Sequence, residues 1–173
     1  KVAYYPLKTY KEIPTDTLSA FTSVLSKLSP EEAVAIQLIL SPVDSAWAKS
    51  GKSFISGTKK SESNPEKASY KVDARQLEAI ENKCTKPGFE VVIRIVAVAP
   101  TTEVAKVNLS NVKACFGQLE SPWNKLSSRK IYFKSQFIDD YVYKYPVVYW
   151  RKNKTILSTD EIVSIFHLPN KSV

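Results

Sequence analysis

The sequence contains no methionine, one histidine, two cysteines and four glycines among 173 residues. Each shortage removes a class of chemistry. With His167 as the only imidazole, a Ser-His-Asp or Cys-His triad could be built in one way only, and no G-x-S-x-G elbow accompanies it. Cys84 and Cys115 lie about thirty residues apart with no C-x-x-C pair, so the chain lacks the ligand spacing of a zinc site. Two cysteines also fall short of a disulfide framework. Both sit on apolar helix faces, which predicts buried free thiols. Apolar runs are short as well, and none approaches the roughly 20 residues that span a bilayer. A chain that starts at Lys1 and holds no Met reads as a piece of a longer protein.

What is abundant is positive charge. Lys and Arg number 25 against 17 Asp and Glu, a net charge of +8, which favours acidic partners such as nucleic acid, anionic lipid or an acidic protein face. At 43 % hydrophobic and 24 % charged residues, the composition is that of an ordinary folded domain.

The pattern along the chain alternates strands and helices. Residues 2–10, VAYYPLKTY, read as an extended edge segment interrupted at Pro6. Thr15 and Asp16 cap a helix over 17–28 with Leu18, Phe21, Leu25 and Leu28 on one face. AVAIQLIL (33–40) reads as a buried strand. A helix over 44–57 would turn Trp47 and Phe54 inward, and the polar stretch 58–69 reads as a loop. Asp73, with Gln76 three residues on, starts a helix carrying Leu77, Ile80 and Cys84 inward, stopped at Pro87-Gly88. FEVVIRIVAVA (89–99) is the strongest strand: Phe89, Val91, Ile93 and Ile95 make one apolar face, while Glu90 and Arg94 mark the other.

A helix over 102–119 follows, with Ala105, Leu109, Val112, Phe116 and Leu119 in one stripe. KIYFKSQF (130–137) and YPVVYW (145–150) read as strands, with Asp139 and Asp140 in the turn between them. The chain closes with a helix capped by Ser158 and boxed by Glu161, with Ile162, Ile165 and Phe166 inward and Pro169 at its end. These elements predict an α+β fold: two packed α/β lobes, of ferredoxin-like type or similar, with mixed or antiparallel sheets covered by helices. The lobes divide at 1–60, a loop at 61–69, and 70–173.

Two stretches carry candidate chemistry. AWAKSGKS (46–53) fits the loose phosphate-loop pattern [AG]-x-x-x-x-G-K-[ST] through Gly51, Lys52 and Ser53. Its context is wrong for a nucleotide site. Ala46 replaces the first glycine, Trp47 crowds the loop, and no apolar strand ends in the acidic residue that would hold magnesium. An amphipathic helix with Trp47 inside and Lys49 and Lys52 outside explains the same residues.

The second stretch runs from 125 to 154. Lys125, Arg129, Lys130, Lys134, Lys144, Arg151, Lys152 and Lys154 interleave there with Tyr132, Tyr141, Tyr143, Tyr149 and Trp150. Cations beside aromatics suit single-stranded nucleic acid, by phosphate neutralisation and base stacking. The plainer reading, which weighs more, is an aromatic-cored antiparallel sheet with a lysine-guarded edge.

Taken in order, AYYPLKTY, LSKLSPEEAVAIQLILSPVDSAWAKSGK, IENKCTKPGFEVVIRIVAVAP, ACFGQLESPWNKL and ILSTDEIVSIFHLPN resemble a domain found upstream of the P-loop, helicase-like ATPase module in bacterial type IV secretion and conjugation-type proteins. The closing segment carries most of the likeness, with Asp160-Glu161 where that family has Glu-Glu. The resemblance implies a non-catalytic accessory domain without cofactor or metal, working by docking to secretion or transfer machinery proteins. It implies an ATPase module C-terminal to this portion and a cytoplasmic location at the inner face of the plasma membrane. Its basic face would meet DNA or anionic lipid. The independent alternative is a stand-alone nucleic-acid-binding module using residues 125–154.

Overall fold

A computed structural model of the chain describes residues 2–14, 16–63, 72–129, 131–146 and 155–167. Among these residues the chain forms six α-helices and one antiparallel sheet of three strands, an α+β fold. The strands are β1 (Ala33–Pro42), β2 (Gly88–Val98) and β3 (Ile156–Ser158), in the order β1-β2-β3. β1 pairs with β2 along its whole length, with Gln37 opposite Arg94. The sheet therefore joins the two halves of the sequence.

The two-residue alternation seen in the sequence sorts the sheet into two faces. Val34, Ile36 and Leu38 of β1 and Phe89, Val91, Ile93 and Ile95 of β2 meet the main core. Above them lie α1 (Thr17–Leu25) and α4 (Thr102–Cys115), the latter continued by a 3-10 turn over Phe116–Leu119. Phe21 and Phe116 meet there with ring centroids 4.9 Å apart. Asp16 caps α1 through the Leu18 N–H, and Thr101 caps α4 through that of Val104, satisfying donors that the first turn leaves open.

α2 (Ala46–Glu62) and α3 (Ala74–Cys84) pack on each other and gather a second cluster of Trp47, Ile55, Leu77, Ile80 and Cys84. Two glycines make room for it. A Cβ on Gly88 would lie 2.6 Å from the Trp47 ring, so the indole packs flat on backbone. On the other side of the sheet lies α5 (Lys134–Val142), and α6 (Thr159–Ile165) follows β3. Among the described residues no helix is long and apolar enough to cross a membrane.

Several sequence expectations change. Residues 2–10 form no strand. Their backbone is held by side chains instead: Glu161 Oε1 accepts from Leu7 N at 2.6 Å, and Pro6 and Tyr5 carbonyls accept from Ser121 Oγ and Asn124 Nδ2. Of the strand read at 130–137, residue 130 lies outside the described set, 131–133 form no strand and 134–137 open α5, with Asp139 and Asp140 in that helix rather than in a turn. Phe133, Phe137 and Tyr141 recur every four residues, so the aromatic period is helical. Tyr145 and Pro146 belong to no strand, and residues 147–150 lie outside the described set.

The strand at 33–40 is not fully buried at any position, because it is the edge of the sheet. α2 runs on through 58–62, where a loop was expected. The helix over 102–119 tightens to 3-10 at Phe116. Phe166 is 58 % exposed instead of inward, since α6 ends one residue before it. The short strand β3 has no counterpart in the sequence reading.

The parts meet at a buried ion pair. Lys83 Nζ on α3 lies 3.1 Å from Glu161 Oε2 on α6, with both side chains at most 2 % exposed. Lys83 also donates to the carbonyls of Tyr5 (3.2 Å) and Ile156 (3.0 Å). Its three protons thus have three acceptors. Glu161 accepts further from Ser158 N at 2.7 Å and Ser158 Oγ at 3.1 Å; the first of these, with the Glu161 N–H donating back to the Ser158 side chain, is the capping box of α6. Removing one member of such a pair strands the other charge out of water. Glu161→Ala or Lys83→Met is expected to cost about 3–5 kcal/mol by urea unfolding. The double variant should cost less than the sum of the two, because each substitution removes the other's partner.

Candidate functional site

The AWAKSGKS motif is settled by α2. The motif lies wholly within the helix, from Ala46 to Ser53, so the N–H groups from Lys49 through Gly51, Lys52 and Ser53 are turned into helix bonds rather than curled round a phosphate. Trp47 is buried, while Lys49, Lys52 and Ser53 face solvent. Gly51 is buried against α3 for a packing reason: an added Cβ would overlap Cys84 Sγ and sit 2.9 Å from Tyr4 Cβ. The glycine of the motif is thus the point where two helices and the N-terminal segment approach.

Burial pushes the Lys83 ammonium below its ordinary value, and Glu161 pulls it back. Burial also raises the Cys84 thiol against the opposing charge of Lys83 and Lys52, and it raises the Cys115 thiol. Both cysteines are buried and free, so each is held as a weakly nucleophilic thiol. Cys115 borders a groove of about 570 Å³ between α1 and α4, lined also by Lys27, Asn108, Asn111 and Gln118.

His167 Nε2 lies 2.8 Å from Asp16 Oδ1 and so ties the end of α6 to the cap of α1. Partial burial opposes ionisation of Asp16. Hydrogen bonds from His167, Leu18 and Ser19 outweigh it and hold the carboxyl below its ordinary range. Among the described residues no group of three His, Cys, Asp or Glu side chains could hold a metal ion.

What remains for recognition is the surface around α5. The helix has no buried residue. Its inner side, with Phe137, Asp140 and Tyr141 half-buried, rests on the sheet face that carries Gln37 and Arg94. Arg94 is only 6 % exposed. Its guanidinium donates to Gln37 Oε1 (2.9 Å), to the Asp140 carbonyl (3.1 Å) and to the Tyr145 carbonyl, while Gln37 Nε2 donates to the Tyr141 carbonyl (3.0 Å). A cation against the last carbonyls of a helix satisfies open acceptors and complements the helix dipole. Burial pulls the Arg94 pKa down and Asp140 raises it.

On the outer side Ile138 and Val142 are 58 % and 61 % exposed, one turn apart. Ile131, Tyr132, Phe133, Tyr143 and Tyr145 are exposed around them, and the rings of Tyr143 and Tyr145 stand 5.8 Å apart.

The residues singled out as nucleic-acid or anion contacts divide in two. Lys125, Arg129 and Lys134 are exposed on the segment leading into α5 and on its first turn, and Lys125 lies 3.9 Å from Glu120. Lys130, Tyr149, Trp150, Arg151, Lys152 and Lys154 lie outside the described residues. Reading 130–137 as a strand hid the exposed stripe of Ile138 and Val142; the four-residue spacing of Lys134, Ile138 and Val142 was the available signal.

The packing role of Gly51 gives a paired expectation. Gly57, in the same helix, has nothing within 4 Å of an added Cβ. Gly57→Ala should raise stability by up to about 1 kcal/mol through helix propensity. Gly51→Ala should lower it by about 1–3 kcal/mol through overpacking. Thermal melts of the two variants check this, and equal effects would remove the packing explanation.

No curated protein and no solved structure matches the chain. One family model, described as a domain of unknown function, DUF8128, matches residues 1–173. With the match running over all of its length, the chain belongs to the DUF8128 family.

Proposed function

We propose that this domain is a non-catalytic docking module that works through protein–protein contacts made by the α5 surface. The observation that carries this reading is the exposure of Ile138 and Val142 on a helix whose carbonyl end is fixed by a buried arginine. Apolar side chains shown on a rigid element are suited to fill a partner's pocket. Tyr143 and Tyr145 add aromatic contact area, and tyrosine is enriched where interfaces bind tightly. Arg129, Lys134 and Lys144 rim the patch with positive charge. The partner is therefore a protein with an apolar pocket and an acidic margin.

The resemblance of the closing segment, ILSTDEIVSIFHLPN, supports placing that partner among type IV secretion or conjugative DNA-transfer components. There the domain would seat an ATPase against the channel at the cytoplasmic face of the membrane. A second reading is favoured by Tyr132, 78 % exposed beside Arg129 and Lys134: stacking and phosphate contact with single-stranded nucleic acid.

Two measurements separate them. Purified secretion-channel components should be retained by the immobilised domain and lost with Ile138→Glu/Val142→Glu. Labelled single-stranded DNA should show no binding at low salt. Binding to the DNA that falls steeply with salt and is lost in Arg129→Ala/Lys134→Ala would replace docking by the nucleic-acid reading.

A further inference from the structure

β1 pairs with β2 on one side only. Among the described residues no other backbone group hydrogen-bonds to Ala33–Pro42. Alternate residues of the strand, about half of its length, therefore turn their N–H and C=O groups outward along an edge that no described residue pairs. Natural edges are guarded by charge, by inserted proline or by bulges. This strand has none of these along its paired length before Pro42, although the chain carries 25 Lys and Arg. Its side chains Val34, Ile36, Leu38 and Ile39 are half-buried, and Leu40 is 42 % exposed.

The pattern also reads alike in both directions. Around Gln37 the sequence is Val34-Ala35-Ile36-Gln37-Leu38-Ile39-Leu40. An identical strand laid antiparallel about a two-fold axis at Gln37 would set Val34 against Leu40, Ala35 against Ile39 and Ile36 against Leu38. A two-fold axis perpendicular to the sheet keeps the core face of one copy continuous with that of the other. The exposed flank of Leu40 would then be covered by Val34 of the second copy.

We infer that the β1 edge is the contact between two copies of this chain, joined antiparallel into one six-stranded sheet. An isologous contact of this kind closes on itself and uses the same patch twice. Roughly one backbone hydrogen bond forms per paired residue, and like apolar neighbours support each other across the strands. The self-complementary pattern favours a second copy over a foreign strand, which would need no such symmetry. Two chains of net charge +8 repel each other, so the dimer should tighten as salt screens them. An acidic or nucleic-acid partner would respond in the opposite sense.

Sedimentation equilibrium of the 173-residue chain, at concentrations up to about 100 μM and at two salt levels, tests this. A dimer strengthened by salt is expected. Ala35→Lys, at an exposed position of the edge, should raise the dissociation constant about tenfold or more while the circular dichroism spectrum is kept. Leu40→Lys is the second variant should the first not fold, with the same effect expected. Ile138→Glu on α5 should leave the dimer unchanged. A monomer throughout, a dimer indifferent to the folded lysine variants, or a dimer dissolved by Ile138→Glu would each overturn the proposal.

Discussion

The structure depends on a buried lysine that is fully matched. Lys83 sits where α3, the N-terminal segment, β3 and α6 converge, and each contributes an acceptor or holds one in place. Taking an ammonium and a carboxylate out of water is costly, and their attraction compensates only when every remaining proton and lone pair is engaged. That condition is met on both sides. Glu161 binds the lysine, the Leu7 N–H and the Ser158 cap together. The result explains how residues 2–10 can be ordered without joining the sheet: Leu7 N, Tyr10 N and the Tyr5 and Pro6 carbonyls are bonded by side chains from distant elements, and Lys8 N by the Leu119 carbonyl.

A similar device sets the surface. Arg94 brings a second cation into the interior, but its acceptors are the Asp140 carbonyl in the last turn of α5, the Tyr145 carbonyl just beyond the helix and the side-chain oxygen of Gln37 rather than a carboxylate. The sheet thereby grips α5 by its backbone. The helix needs little apolar burial to stay in place, so its apolar side chains are available at the outer face. Stability and recognition are divided between the two buried cations: Lys83 closes the fold on one side of the sheet end, and Arg94 presents a helix on one sheet face.

Much of this was legible in the residues. The alternation of 89–99 marked β2 and its polar side at Arg94, Asp73 marked the start of α3, and Ser158 with Glu161 marked the capping box, because each signal is local. The helical reading of AWAKSGKS followed from Trp47, which an amphipathic helix turns inside while Lys49 and Lys52 stay outside. What stayed hidden depended on distant partners. Glu161 was legible as a cap but not as the counter-ion of Lys83, 78 residues away in sequence. The edge position of β1 could not be read from an apolar run that suits a buried strand equally well. α5 was missed because aromatic and β-branched residues at 131–142 carry strand propensity, while contacts from Gln37 and Arg94 decide for helix. The exposed Ile138 and Val142, on which the docking proposal rests, were lost with it.

Native-state hydrogen exchange of the Leu7 amide tests the central role of the Lys83–Glu161 junction most directly. This amide lies in a segment without secondary structure, yet it donates to Glu161. The account predicts that it exchanges only with global unfolding, as slowly as the amides of central β2. Exchange at the rate of exposed loops, with β2 still protected, would show that the N-terminal segment opens freely and that the buried pair does not hold the fold together.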